Sequence, residues 1–284
     1  MNVKYWVVPA LAINFLMIVV PALFTVYISF TDWDGFGTPL WVGLENFEML
    51  FTDESFLGVL WNNVVWTFLF ITIPVIFGVF ISALLMLVKK GKIIYQSIFL
   101  IPYLLASVIN ATIWRDMIYS PVSGVFSYIN KVMFEGERVL QNPLSDPATS
   151  LFGVIVVDMW HWWGFVAIIF FAAMRQINQE QIEAAKVDGA SFYQIVTRII
   201  MPFIKPTILL ILSLSVIWSF LAFDYVFVLT GGGPANSSEL LATLSYKRAF
   251  QEFDVGGAAA ISVVISFFGL ISTAAYIFFQ REEN

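Results

Sequence analysis

The sequence predicts an all-α, polytopic membrane fold with six transmembrane helices, and three observations predict it. Of 284 residues, 60% are hydrophobic and only 12% are charged, against roughly 25% charged in soluble domains. Six stretches are mostly apolar over the ~20 residues that a helix needs to cross about 30 Å of hydrocarbon. None of them shows the alternation of apolar and polar residues expected of a membrane barrel strand. With no internal repeat, low-complexity tract or linker, residues 1–284 read as a single membrane domain.

The spans are expected at about residues 5–30, 60–88, 93–114, 151–174, 207–230 and 257–280. The first reads as a retained span and not a removable signal. Its apolar run is too long, Lys4 is its only leading charge, and no small-x-small site follows. Orientation comes from Lys and Arg. Segment 31–59 has neither, yet carries Asp32, Asp34, Glu45, Glu48, Asp53 and Glu54, whereas Lys89, Lys90 and Lys92 crowd the next connection. With the lysines inside, both termini are expected in the cytoplasm, together with the connection 175–206 and its Arg175, Lys186, Arg198 and Lys205. The outer segments carry TDWDGFGTP, NPLSDPATS and TGGGPANSSE, which read as turns and short loops.

Composition also narrows the chemistry. With no Cys and one His, a disulfide scaffold, a thiol catalyst and a Cys- or His-cluster metal site are excluded. A net charge of −6 argues against a nucleic-acid partner. No G-x-x-x-x-G-K-[ST] occurs, so the chain is not expected to hold ATP itself. GGGP at 231–234 lacks the Lys and reads as a turn.

The 175–206 connection is long for a loop without a task. Asn178 followed by Gln181 resembles a capping box, and QEQIEAAKV is strong helix-forming sequence. Gly189 stands where a helix C-terminus needs a left-handed residue. Ser191 caps a second helix, FYQIVTRII, which Pro202 and Pro206 are expected to limit before the fifth span begins. Ala184 and Ala185 flatten one side of the first helix, while Glu183 and Lys186 give it ionic edges. Two readings stay open on this pattern: a peg seated in a partner's cleft, or a surface helix covering the inner mouth of the bundle.

Polar side chains inside a bilayer are costly and face a cavity or one another. Asp158 and His161, three apart, share a face of the fourth span beside Trp160, Trp162 and Trp163. Ser215, Ser219 and Ala222 form a stripe on the fifth, with Phe223 and Asp224 toward its outer end. Asn110, Ser262 and Ser266 add further polar points. Aromatic faces with hydroxyl and carboxylate groups suit sugars, whose rings stack while their hydroxyls need directional partners. The plainer alternatives are an interfacial belt for the tryptophans, a structural pairing of Asp158 with His161 or an adjacent helix, and small-residue helix packing for the serines.

EAAKVDGASFYQIVTRIIMPFIKP, residues 183–206, resembles the EAA motif of permease subunits of binding-protein-dependent ABC importers. In that pattern EAA is followed by D-G-A and a hydrophobic stretch ending in proline. Glu183, Ala184, Ala185, Asp188, Gly189, Ala190 and Pro202 meet it. GLENFEMLFTD (43–53), FLIPYLLASVINATIW (99–114), FDYVFVLTGGGP (223–234), YKRAF and GGAAAIS also resemble the sugar-permease branch, of maltose type, in order along the chain from about residue 43 to 266.

The resemblance implies a coupling helix at 183–190 that docks on a cytoplasmic ATPase subunit, with Glu183 making the ionic contact and Gly189 permitting the turn. It implies four kinds of partner: a second related permease, two ATP-binding subunits that carry the ATP and Mg, an extracytoplasmic solute-binding protein, and a sugar-like solute. The setting would be a bacterial or archaeal cytoplasmic membrane, and the chain would be a transport subunit and not an enzyme. In maltose-type permeases the solute sits at positions that align here with Trp162, Phe165, Ser215, Ser219 and Ala222. The small and apolar types at some of them depart from an amide-rich maltose site, so the cargo need not be maltose. Rival readings are an ion-coupled secondary transporter using Asp158–His161, which leaves the EAA loop unexplained, an intramembrane enzyme, for which one His and no Cys leave little material, and a peptide or amino-acid permease, which lacks the GGGP–YKRAF–GGAAAIS run.

Overall fold

The computed structural model describes residues 4–88 and 90–281 and is mostly helical. Lys89, on which part of the orientation argument rests, lies outside the described residues, as do the side chains of Lys4 and Arg281. Helix α1 (Val7–Ile28) leads to a two-stranded ribbon, Thr31–Asp32 against Leu40–Trp41, and to α2 (Glu45–Thr52). Next come α3 (Glu54–Leu87), α4 (Lys92–Leu104), α5 (Ser107–Ile118) and α6 (Val125–Met133). The chain continues through α7 (Ser150–Met174), α8 (Gln179–Val187), α9 (Phe192–Phe220), α10 (Asp224–Leu229), α11 (Leu241–Phe250) and α12 (Val255–Arg281). Five helices, α1, α3, α7, α9 and α12, are long and apolar enough to cross a membrane, and the bent pair α4–α5 makes a sixth.

That bend corrects the third expected span, a continuous helix over 93–114. α4 and α5 meet at 94°. Pro102 removes one rung of the α4 ladder, and Leu105 and Ala106 are extended, each with ψ 139°. A broken helix at membrane depth persists only where neighbours satisfy the freed backbone groups. Here the ring of His161 does so together with a local turn: its Nδ1 lies 3.0 Å from the Pro102 carbonyl oxygen, which also accepts from Leu105 N–H at 3.4 Å.

The fifth span also differs from expectation, at both ends. No break separates the helix capped by Ser191 from the span, because α9 runs unbroken for 29 residues. A π turn at Val196–Ile200 comes just before Pro202, which falls in the first turn of the α-helix that follows. Pro206 leaves one carbonyl unserved, a loss offset by the burial of Ile204 and Ile211. At the other end the helix stops at Phe220 and not near Thr230. Residues 221–223 are non-helical, so Phe223 and Asp224 leave the stripe on which the sequence places them.

The centre of the bundle is one buried cluster shared by α3 (Trp66, Phe70), α7 (Val157, Val166, Phe170) and α9 (Ile204, Ile211). α4 crosses α7 at Gly164, where any Cβ would overlap the Phe99 carbonyl oxygen. α12 packs against α11 through small residues: Ser245 Oγ bonds to Ser262 Oγ (3.1 Å) and to the Ala258 carbonyl (3.0 Å). Most apolar side chains of α1, Leu16 and Met17 among them, are exposed, and Ile28 at its end is buried.

The connections between spans one and two, three and four, and five and six gather at one end. Asn62 Nδ2 donates to the carbonyls of Ser237 (3.2 Å) and Glu239 (3.0 Å), and Ser150 Oγ lies 2.7 Å from Ser237 Oγ. Arg248 pairs with Asp53 and Asp254, and the buried Glu239 pairs with Lys247. The glycine run is a turn, as expected, with Gly231 and Gly232 at φ +59° and +89°.

Candidate functional site

Two places carry the residues singled out by sequence. The first is a cavity of about 400 Å³ bounded by α3, the α4–α5 bend, α7 and the α9–α10 connection. Asp158, His161, Trp162, Ala222, Phe223 and Asp224 all line it. The break after Phe220 is what brings Phe223 and Asp224 round to face α7, and Asp224 Oδ2 accepts a hydrogen bond from Ser107 Oγ at 2.5 Å.

Asp158 and His161 share the cavity but form no ion pair with each other; the histidine is committed to the Pro102 carbonyl. A carbonyl only accepts, so the ring's Nδ1 carries the proton. Of the tryptophan group only Trp162 faces the cavity, while Trp160 and Trp163 line a separate apolar groove with Ile73, Pro74 and Phe77.

Phe165 stands behind the wall, with ring centroids 4.6 Å from Tyr103 and 4.9 Å from Trp162. Ser215 and Ser219 are fully buried away from the cavity. Ser215 Oγ accepts from Trp162 Nε1 (3.2 Å), and Ser219 Oγ meets Thr67 Oγ1 (2.8 Å). The two serines fasten α9 to α7 and α3. The Ser215 bond also holds the indole of Trp162 in place at the cavity wall.

Sequence reasoning missed Phe70, Tyr103, Ser107, Trp218, Leu221 and Tyr225, which complete the lining. Tyr103 and Ser107 arrive through the bend in the third span, and Leu221 and Tyr225 through the break after α9. Trp218 had a signal, standing three residues beyond Ser215 on the same helix. Asn110, noted as a polar point, donates to the Tyr225 hydroxyl at 3.0 Å and so supports the wall.

The second place is α8. Asn178 caps it, its Oδ1 accepting from Glu180 N–H at 3.0 Å; this is a plain N-cap, and the capping box expected with Gln181 does not form. The far end closes as a Schellman motif. Ala190 N–H reaches the Ala185 carbonyl (2.9 Å), Gly189 N–H reaches the Lys186 carbonyl (3.1 Å), and Gly189 has φ +77°. Ser191 and Gln194 then form a complete capping box at 2.8 and 3.3 Å, which starts α9. Ile182 is buried and Ala185 packs on the core, leaving Glu183, Ala184, Lys186, Val187 and Asp188 exposed.

Residues 92–282 match a protein family described as the binding-protein-dependent transport system inner membrane component. The chain belongs to that family. It is 32% identical over 280 residues, covering 97% of this chain and 94% of the other, to the probable ABC transporter permease protein PH1215 of Pyrococcus horikoshii. It is 30% identical over 290 residues, covering 99% and 96%, to the probable starch degradation products transport system permease protein AmyD of Thermoanaerobacterium thermosulfurigenes. Its fold matches a chain of a bacterial alginate ABC transporter, solved in complex with an alginate pentasaccharide-bound periplasmic protein. The TM-score is 0.80 at 23% identity, covering 97% and 91%. The protein is thus a multi-pass permease component, and permease subunits of ABC transporters are not themselves enzymes.

Proposed function

We propose that this permease is one half of a paired membrane channel in an ATP-driven importer of a sugar or sugar-like solute: an oligosaccharide, a disaccharide or a polyol glycoside. The observation that carries the reading is α8. A short helix is anchored by Ile182 and Ala185, closed by a left-handed glycine, and turns Glu183, Ala184 and Lys186 away from the bundle. Those exposed residues serve as the docking face for a cytoplasmic ATPase subunit, with α8 as the coupling helix. Both termini and α8 are cytoplasmic, and the opposite end of the bundle receives a solute-loaded binding protein. A starch-product permease among the relatives and a polysaccharide transporter among the structural neighbours support a carbohydrate cargo. So does the aromatic cavity, whose rings suit the C–H faces of sugars and whose carboxylates accept from their hydroxyls.

The cycle is alternating access. Closure of the ATPase pair on ATP draws the coupling helices together and opens the cavity outward, and hydrolysis resets it inward. Ion-coupled transport through an Asp158–His161 relay is not favoured, because His161 Nδ1 is held by a backbone carbonyl.

Purification of the tagged chain in mild detergent, with mass spectrometry of what accompanies it, tests the assembly. A second six-span permease and a P-loop ATPase are expected. A homo-oligomer without an ATPase refutes it. Stimulation of ATP hydrolysis by neutral sugars, in the presence of the binding protein, tests the cargo.

A further inference from the structure

The cavity differs from a generic polar pocket in the sign of its charge. Asp158 and Asp224 both line it, and none of its lining residues is Lys or Arg. The nearest guanidinium along the third span, that of Arg115, is engaged elsewhere, with Asp116 (3.0 Å) and the Val228 carbonyl (3.3 Å). The rings of Trp162, Trp218 and Tyr103 add to the effect, because an aromatic face carries negative potential. Ser107 occupies one oxygen of Asp224 and leaves the other without a partner among the described residues. The His161 proton is on the nitrogen facing Pro102, so the other ring nitrogen is an acceptor.

We infer that this cavity carries a negative field that admits neutral, hydroxyl-rich solutes and rejects those bearing a carboxylate or phosphate, with Asp158 and Asp224 as the discriminating residues. The inference rests on the carbohydrate reading and narrows it: the cargo is a neutral sugar or glycoside, not a sugar acid or sugar phosphate. Discrimination of this kind comes from repulsion of the wrong solute as much as from attraction of the right one. Hydroxyls donate to the carboxylates whatever the stereochemistry of the ring, whereas a fixed anion meets like charges in a space whose lining holds no Lys or Arg to pair it.

The chain contains no Cys, so Ala222→Cys places a single thiol at the cavity. In the assembled transporter in membranes, that thiol is treated with two methanethiosulfonates of similar size, one carrying trimethylammonium and the other sulfonate. The unsubstituted parent, treated alike, gives the background from partner subunits. The cationic reagent is expected to react faster by about tenfold or more beyond the ratio measured for a free thiol in solution. Asp158→Asn combined with Asp224→Asn is expected to return the ratio toward the free-thiol value. A wild-type ratio equal to that of the free thiol overturns the inference, as does a thiol that neither reagent reaches. The readout does not depend on which solute is carried. Failure of the carbohydrate reading, seen as no stimulation of ATP hydrolysis by any neutral sugar, is therefore told apart from failure of the field.

Discussion

The imidazole Nδ1 of His161 lies 3.0 Å from the carbonyl oxygen of Pro102, at the point where the third span turns through 94°. The bond joins α7 to a carbonyl that an unbroken helix would satisfy internally. It fixes the bend that carries Tyr103 and Ser107 into the cavity wall. His161→Leu removes the shorter of that carbonyl's two bonds and leaves only the 3.4 Å bond from Leu105 N–H, which costs about 1 kcal/mol, and is expected to lower the melting midpoint of the purified complex. His161→Gln, which retains a donor, is expected to melt between the two. A leucine variant as stable as the parent removes this role for the histidine.

Glu183 is exposed and takes part in no ion pair among the described residues. Glu183→Ala is therefore expected to leave folding within about 0.5 kcal/mol of the parent. If α8 docks on an ATPase, the same change costs an interface charge, and solute uptake falls by about tenfold or more. Assays of uptake and ATP hydrolysis on one preparation check both halves. Normal uptake in that variant argues against a docking peg.

Gly189, at φ +77°, closes the end of α8. Gly189→Ala costs about 1 kcal/mol through the left-handed conformation, and Gly189→Val costs more, because branching at Cβ crowds that conformation further. The expected order of solute-stimulated ATP hydrolysis is Gly, then Ala, then Val. Equal losses from the two substitutions would sink the turn argument, since open space around the residue excludes a side-chain clash.

At Gly164 the constraint is space. A Cβ there overlaps the backbone carbonyl of Phe99, which a rotamer change cannot relieve. Gly164→Ala is expected to cost about 1–3 kcal/mol by forcing α4 away from α7. Gly269→Ala, in a helix with open space at its Cβ, is expected to be neutral or slightly stabilising. Thermal melting of the two variants side by side distinguishes packing from a general effect of alanine.

Hydropathy made the number of spans readable, because one run of apolar residues per crossing is a demand of the bilayer itself. The turn at Gly189 and the cap at Ser191 were readable too, because both are local. The bend at Leu105–Ala106 was not, since the histidine that braces it lies 59 residues beyond Pro102 in the chain. Pro202 and Pro206 misled in the opposite direction: a preceding π turn and the burial of Ile204 and Ile211 let the helix run on. The cavity followed from that bend and from the break after Phe220. Ser215 and Ser219 shared a stripe open to a solute or to helix packing; they meet Trp162 and Thr67, and periodicity does not say which neighbour a stripe will meet.

The unbroken run from Phe192 to Phe220 gives the bundle a push-rod about 43 Å long at ~1.5 Å per residue, set between the turn at Gly189 and the cavity wall at Leu221–Phe223. A rod has no slack. A shift imposed on Ser191 arrives at Ala222 with its amplitude largely preserved, apart from what the helix gives up at Pro202 and Pro206, the two positions in the run that lack a donor. Had the two prolines divided this segment, the inner end could swing while the solute chamber stayed still.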